Sequence, residues 1–177
     1  MENTSGISKT KTHKKTYALV ITSMLIALVF IATYINVRLP IAAHGGLVHL
    51  GTGMLFIASI LFGPKKGAIA GATGMGLFDL LGGWVLWTPI TIIARGFQGY
   101  IVGKISWASG RDGGSMGFNI MAMLISTPVM IATYYTGEAI IYGNWITPVA
   151  SIPGDVVQSI FGMLIAIPLC AALKKVL

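Results

Sequence analysis

Six long apolar runs alternate with short polar segments along the chain. The runs consist mainly of Leu, Ile, Val, Ala, Met and Phe, whereas the segments between them hold Gly, Pro and most of the charged residues. Runs close to twenty residues long, bounded by charge, predict transmembrane helices. The predicted spans are residues 17–37, 48–62, 67–83, 88–107, 115–135 and 150–173. The pattern therefore predicts an all-α, polytopic membrane protein with six transmembrane helices.

Composition agrees with this fold class. The 177 residues are 55% hydrophobic and only 10% charged, whereas a soluble domain carries roughly 25% charged residues. The polar residues 1–16 are expected to form a disordered cytoplasmic head. Residues 17–175 are expected to form one membrane domain, whose first span is too long for a cleavable signal segment.

Basic residues mark one side of the predicted membrane. Ten of the twelve lie at the termini or in two short gaps between apolar runs: Lys9, Lys11, Lys14, Lys15, Lys65, Lys66, Lys104, Arg111, Lys174 and Lys175. The positive-inside rule then places both termini in the cytoplasm. Because these residues flank apolar runs without interleaved aromatics, the net charge of +7 indicates topology, and we exclude nucleic-acid binding.

The remaining polar groups fall in the outer half of the predicted spans. An isolated charge in lipid is costly, so these side chains must face protein or water. They predict a water-accessible cavity that is open to the outside, with no comparable polar group in the inner half. Asp79 and Arg95 are expected at similar depth, where they could form an ion pair of structural or binding function. The set is Asp79, Arg95, Gln98, Glu138, Asp155 and Gln158.

Aromatic and histidine side chains lie near the same level. Trp87, Tyr134 and Tyr142 could stack on a flat ligand or belong to an interfacial aromatic belt. His49 could reach the cavity from the start of the second span. His44 and His49 form at most a weak metal site, so no metal site is predicted.

Small residues at four-residue spacing predict close helix contacts in lipid. They occur in the third span as Gly67 and Gly71, in the fourth as Gly99 and Gly103, and in the first as Ser23 and Ala27. Such a face packs either inside the bundle or against a partner membrane protein.

Three classes of function fit these features. They are a ligand-binding transport subunit, a scaffold subunit without a ligand, and an intramembrane enzyme that uses Asp79 and Asp155 as a carboxylate pair. The sequence lacks a phosphate-binding loop and common hydrolase motifs. This disfavours ATP hydrolysis by the chain and disfavours the intramembrane enzyme.

Several segments together resemble the substrate-binding S components of energy-coupling factor (ECF) transporters, which import vitamins into bacteria. They are Gly-Gly-Leu-Val-His-Leu-Gly at 45–51, Leu-Phe-Gly-Pro-Lys-Lys-Gly-Ala-Ile-Ala-Gly at 61–71, Phe-Asp-Leu-Leu-Gly-Gly-Trp at 78–84, Arg-Gly-Phe-Gln-Gly-Tyr-Ile-Val-Gly at 95–103 and Ile-Pro-Gly-Asp-Val-Val-Gln at 152–158. The riboflavin-type and hydroxymethylpyrimidine-type branch is the most similar.

The resemblance implies a six-helix, multi-pass subunit of the bacterial plasma membrane without catalytic activity or a cofactor of its own. It implies a transmembrane coupling protein and two ATPase subunits as partners, with Ser23 and Ala27 at the docking face. It also implies vitamin binding near the outer surface. Thr52, Arg95, Gln98 and Asp155 depart from the residues common in the family. The carboxylates, arginine and amides suggest hydroxymethylpyrimidine or a pyridoxine-like ring, with riboflavin as the alternative.

Overall fold

The computed structural model describes residues 4–38 and 47–176 and contains, in these ranges, six α-helices and one small β-hairpin. The helices are α1 (Thr4–Tyr34), α2 (Gly51–Phe62), α3 (Pro64–Leu81), α4 (Thr88–Ser106), α5 (Met116–Tyr142) and α6 (Ile152–Leu173). The strands are β1 (Asn36–Arg38) and β2 (Leu47–His49), and short 3₁₀ turns occupy Ala108–Gly110 and Thr147–Ser151. The predicted helical fold class is confirmed, with the hairpin as an addition.

Three segments are long and apolar enough to cross a membrane unaided in the described part of the chain. They are His13–Tyr34, Met116–Tyr142 and Thr147–Leu173. This is the pattern of a polytopic membrane protein. The count of six spans and the cytoplasmic position of both termini stay predictions.

The predicted second span consists of two different elements. Residues 47–49 form β2, which pairs antiparallel with β1 in the register Asn36↔His49 and Val37↔Val48. The helix α2 follows and has only 12 residues, which at 1.5 Å per residue spans about 18 Å against a hydrocarbon core of roughly 30 Å. Its residues are nearly all buried, because α1, α3, α4 and α6 surround it. The prediction that 48–62 is one continuous helix is therefore wrong at its start.

Two helix ends also differ from expectation. The helix α1 begins at Thr4, so residues 4–16 are helical where the sequence predicts a disordered head; lysine is a good helix former, and a helix propagates readily from a formed apolar segment. The helix α5 continues to Tyr142, through a segment expected to be a loop. It ends at Gly143, whose φ of 62° is the left-handed conformation that favours glycine at a helix C-terminus.

Glycines bring α3 and α4 into backbone contact. A Cβ atom added at Gly99 would lie 2.7 Å from the Gly67 carbonyl oxygen, closer than such atoms can approach. A Cβ atom at Gly74 would lie 2.9 Å from the Ile26 carbonyl oxygen of α1. These glycines of α3 and α4 serve packing inside the bundle, which is one of the two roles predicted for them.

The two ends of the bundle differ in chemistry. We call the end that carries Lys65, Lys66, Lys104, Arg111 and Lys174 the basic end, and the opposite end the cavity end. At the basic end the Trp107 Nε1 atom donates to the Ile60 carbonyl (2.9 Å), and Lys174 donates to the Asp112 carbonyl. Ser106 and Asn119 are buried there too. The prediction that buried polar groups stop halfway is therefore wrong.

Candidate functional site

A cavity of about 130 Å³ lies at the cavity end, between the hairpin and helices α1, α3, α4, α5 and α6. Nine of the ten predicted binding residues line it: His49, Asp79, Trp87, Arg95, Tyr134, Glu138, Tyr142, Asp155 and Gln158. The tenth, Gln98, is buried beneath the cavity and contacts Arg95. Five separate elements thus contribute predicted residues to one site, and their role in binding stays a prediction. His44 lies outside the described residues.

Arg95 forms the floor of the cavity and is only 3% exposed. Its Nη1 atom donates to Gln98 Oε1 (2.8 Å) and Thr52 Oγ1 (3.4 Å), and its Nε atom donates to the Tyr134 hydroxyl (3.3 Å). The same guanidinium lies 5.2 Å from the centre of the Tyr134 ring. The Tyr134 hydroxyl in turn donates to Thr91 Oγ1 (3.0 Å). Arg95 therefore connects α2, α4 and α5.

The Gln158 amide joins α6 to the same network. In the orientation that satisfies both ends of the amide, its oxygen accepts from Arg95 Nη2 (2.9 Å), His49 Nε2 (2.7 Å) and Thr52 Oγ1 (2.8 Å). Its nitrogen then donates to the Leu47 carbonyl (3.1 Å). The reverse orientation would point the amide N–H groups at the guanidinium, so we assign this one. The floor is thus a single hydrogen-bonded unit.

His49 is held neutral in this network. It lies in β2, outside the helices, and is 8% exposed. Burial, with a smaller contribution from the positive charge of Arg95, lowers the pKa of His49 from 6.5 to about 3. Because Nε2 donates to Gln158, Nδ1 is an acceptor, and it is buried without a hydrogen-bond partner among the described residues. The imidazole therefore adds no charge at neutral pH.

The three carboxylates lie in the cavity wall. Asp79 and Asp155 are half-buried, whereas Glu138 is buried and accepts a hydrogen bond from Ser151 Oγ (2.8 Å). The predicted ion pair between Asp79 and Arg95 is wrong for the described residues, since the guanidinium donates to neutral side chains. The reason is geometric: Thr52, Gln98 and Gln158 reach its N–H groups from below and beside it.

Aromatic side chains border the cavity toward its mouth. Trp87 contacts Trp84 and Tyr142 edge to face, with ring centres 5.8 Å and 6.2 Å apart. Trp84, Trp87 and Tyr142 all line the cavity. Such amphipathic rings can enclose a flat ligand while keeping their polar atoms available.

Sequence reasoning missed several lining residues. Thr91 lies four residues before Arg95, on the same helical face, and that spacing could have identified it. Leu47, Met75 and Phe78 gave no signal because apolar residues are common throughout the chain. Ser151 was missed because it precedes α6 in a short 3₁₀ turn. The further lining residues are Thr33, Leu47, Met75, Phe78, Trp84, Thr91, Ser151 and Gly154.

The predicted docking residues lie away from the cavity. Ser23 and Ala27 are one turn apart on α1, and both are exposed. The exposed side chains of Val20, Met24 and Ile31 surround them. The face is therefore exposed in the described part of the bundle, and its role stays a prediction.

Comparisons with known proteins identify the family. Residues 13–175 match the family described as "ECF-type riboflavin transporter, S component". The chain belongs to the ECF transporter S components. The fold agrees: the structure described as "Structure and mechanism of the S component of a bacterial ECF transporter" superposes with a TM-score of 0.69, at 22% identity, covering 91% of this chain and 97% of that one.

Two curated relatives are similar to this S component. A protein of Pyrococcus woesei, described as "Uncharacterized protein in gap 3'region", is 32% identical over 143 residues, which are 81% of this chain and 93% of that protein. The "Thiamine precursor transporter HmpT" of Lactococcus lactis is 28% identical over 130 residues, which are 72% of this chain and 69% of that protein. The chain is thus a membrane-integral vitamin-transport subunit and not an enzyme, as predicted.

Proposed function

We propose that this S component captures a small, single-ring nitrogen heterocycle at the cavity end and passes it inward together with an ATP-driven partner module. Hydroxymethylpyrimidine and pyridoxine-like molecules are the candidate ligands. The observation that carries the proposal is the cavity, which is small, polar on its floor and wall, and bordered by aromatic rings.

Cavity size favours a single ring. Pockets for drug-sized ligands measure roughly 300–1,000 Å³, whereas this cavity encloses about 130 Å³. Its charges also restrict the ligand, because Arg95 is the one cation among the lining residues that the structure describes, beside three carboxylates. Anionic vitamins such as folate and pantothenate would meet repulsion from Asp79, Glu138 and Asp155.

Similarity to the thiamine precursor transporter HmpT supports the same class of ligand. Riboflavin is the second candidate, because the matching family is described by that vitamin. Its three fused rings and polyol chain need more volume than a cavity of about 130 Å³ offers, so we rank it below the single rings.

Ligand identity is tested by releasing whatever the purified protein holds and by titration. The protein is denatured and the released molecules are identified by mass spectrometry, and the fluorescence of Trp84 and Trp87 is followed during titration with hydroxymethylpyrimidine, pyridoxine and riboflavin. We expect saturable binding of a single-ring compound and weaker binding of riboflavin. If no heterocycle is released and none of the three binds, the proposed function is wrong.

Partner docking is assigned to the exposed face around Ser23 and Ala27. Small side chains allow close approach of a second membrane helix, and the coupling protein with its two ATPases would supply the energy. We expect Ala27→Leu to reduce co-purification with the coupling module while ligand binding is unchanged. Ala172→Leu, at another exposed alanine, is the matched control. If the two variants co-purify equally well with the coupling module, the face around Ser23 and Ala27 is not the docking site.

A further inference from the structure

The floor of the cavity has one hydrogen-bond donor of Arg95 left for a ligand. A guanidinium has five N–H groups, and four of those of Arg95 are directed at Tyr134, Gln98, Thr52 and Gln158. The fifth, on Nη2, has no assigned acceptor among the described residues, and Arg95 lines the cavity.

The N-terminus of α2 does not line the cavity, but it lies next to Arg95 and adds to the positive potential there. No side chain caps it at Leu50, and its second residue, Thr52, contacts Arg95. The first N–H groups of a helix are unpaired and carry a partial positive charge. A ligand atom that meets the floor is therefore favoured when it is an acceptor.

The wall nearer the mouth presents acceptors. At 1.5 Å per residue, Arg95 lies about 10 Å from the start of α4, whereas Asp155 lies about 5 Å from the start of α6. Glu138 lies about 6 Å from the end of α5 by the same measure. These carboxylates line the same cavity as Arg95, and the neutral His49 does not offset them. The site is therefore polarised along its depth.

We propose that the cavity binds an aminopyrimidine in one orientation, with the ring nitrogen opposite the amino group accepting from Arg95 and the amino group donating to Glu138 or Asp155. This orientation rests on the proposed function and specifies it further. In hydroxymethylpyrimidine the amino group and one ring nitrogen occupy opposite corners of the ring, so a single flat molecule matches both the remaining Arg95 donor of the floor and the acceptors above it. The reverse orientation would place the amino group against the guanidinium and the ring nitrogen against a carboxylate.

The test compares three ligands: hydroxymethylpyrimidine, its analogue without the amino group, and the pyridine analogue in which the ring nitrogen opposite the amino group is replaced by C–H. Their dissociation constants are measured with the wild-type protein and with Glu138→Gln, Asp155→Asn and the double variant. Asp112→Asn, at an exposed acid of the basic end, is the control. Thermal unfolding checks that each variant is folded.

We expect each analogue to bind the wild type at least tenfold more weakly than hydroxymethylpyrimidine. In the double variant the penalty for removing the amino group should shrink several-fold, while the penalty for removing the ring nitrogen persists. If the substitutions at Glu138 and Asp155 instead abolish the loss of affinity caused by removing the ring nitrogen, the inference is overturned. It is also overturned if both analogues bind as tightly as hydroxymethylpyrimidine. If hydroxymethylpyrimidine fails to bind and pyridoxine binds, the inference is wrong and the proposed function stands.

Discussion

The two ends of the bundle are held together in different ways. At the basic end, helices approach until backbones touch, as at Gly99 against Gly67. At the cavity end, side chains span a gap, and the guanidinium of Arg95 joins α2, α4, α5 and α6. Backbone contact leaves no space for a ligand, whereas a hydrogen-bonded frame keeps a cavity open. The site therefore lies where side chains, and not backbone contacts, hold the helices together.

The largest effect is expected from replacing Arg95, whose hydrogen bonds join α2, α4, α5 and α6. Arg95→Met leaves Gln98 Oε1 without a donor and removes one hydrogen bond each from Gln158 and Tyr134, and a buried polar atom left unpaired costs about 1–3 kcal/mol. We expect a large loss of thermal stability and a loss of ligand affinity of at least a hundredfold. Arg95→Lys keeps the charge but lacks the planar set of donors, so it should retain more stability while binding stays weak.

The control for Arg95 is Arg111→Met at the basic end. Arg111 stacks on Phe118 with its guanidinium carbon 3.7 Å from the ring centre, far from the cavity. Its loss should lower stability slightly and leave affinity unchanged. Equal affinities for Arg95→Met and the wild type would refute the idea that this frame shapes the site.

Gly99→Ala tests backbone contact at the basic end. The added Cβ would lie 2.7 Å from the Gly67 carbonyl oxygen, so α3 and α4 must separate, at a cost of about 1–3 kcal/mol. Gly96→Ala on the same helix meets only the Ala72 Cβ at 3.6 Å and should be neutral or slightly stabilising, since alanine favours helix. Thermal unfolding in detergent, with ligand affinity measured alongside, distinguishes the two.

Acidification should weaken the cavity end through His49. Its folded-state pKa of about 3 lies below its unfolded value of 6.5, so the unfolded chain binds the extra proton and stability falls as the pH drops from 6.5 toward 3. The loss should reach roughly 2 kcal/mol at pH 5. His49→Gln should reduce this acid sensitivity, whereas His13→Gln, at an exposed position of α1, should leave it as in the wild type.

Trp107→Phe should have the smallest effect. It removes the donor that reaches the Ile60 carbonyl at the basic end, which costs about 1 kcal/mol. Ligand affinity should not change, and Trp145→Phe, at a 60% exposed side chain, serves as the comparison. A change of affinity in Trp107→Phe would show that the two ends are coupled.

The sequence predicted the helices and the cavity residues because charge in an apolar run is rare and must be accommodated. It missed the hairpin because Leu47 and Val48 continue the apolar pattern of α2, and hydrophobicity alone does not separate a short strand from a helix. It also missed the partners of Arg95. Thr52 and Gln158 are distant from it in sequence, and nothing local indicates that they would outcompete Asp79.

The connection of four helices by one guanidinium has a consequence for how such a site can change over evolution. A substitution at Arg95 removes hydrogen bonds to residues on several helices at once, so it requires simultaneous compensation elsewhere. Asp79 and Asp155, in contrast, are half-buried in the wall and can be exchanged one at a time. New ligand preferences are therefore expected to arise through substitutions in the cavity wall, while the floor residues around Arg95 stay unchanged.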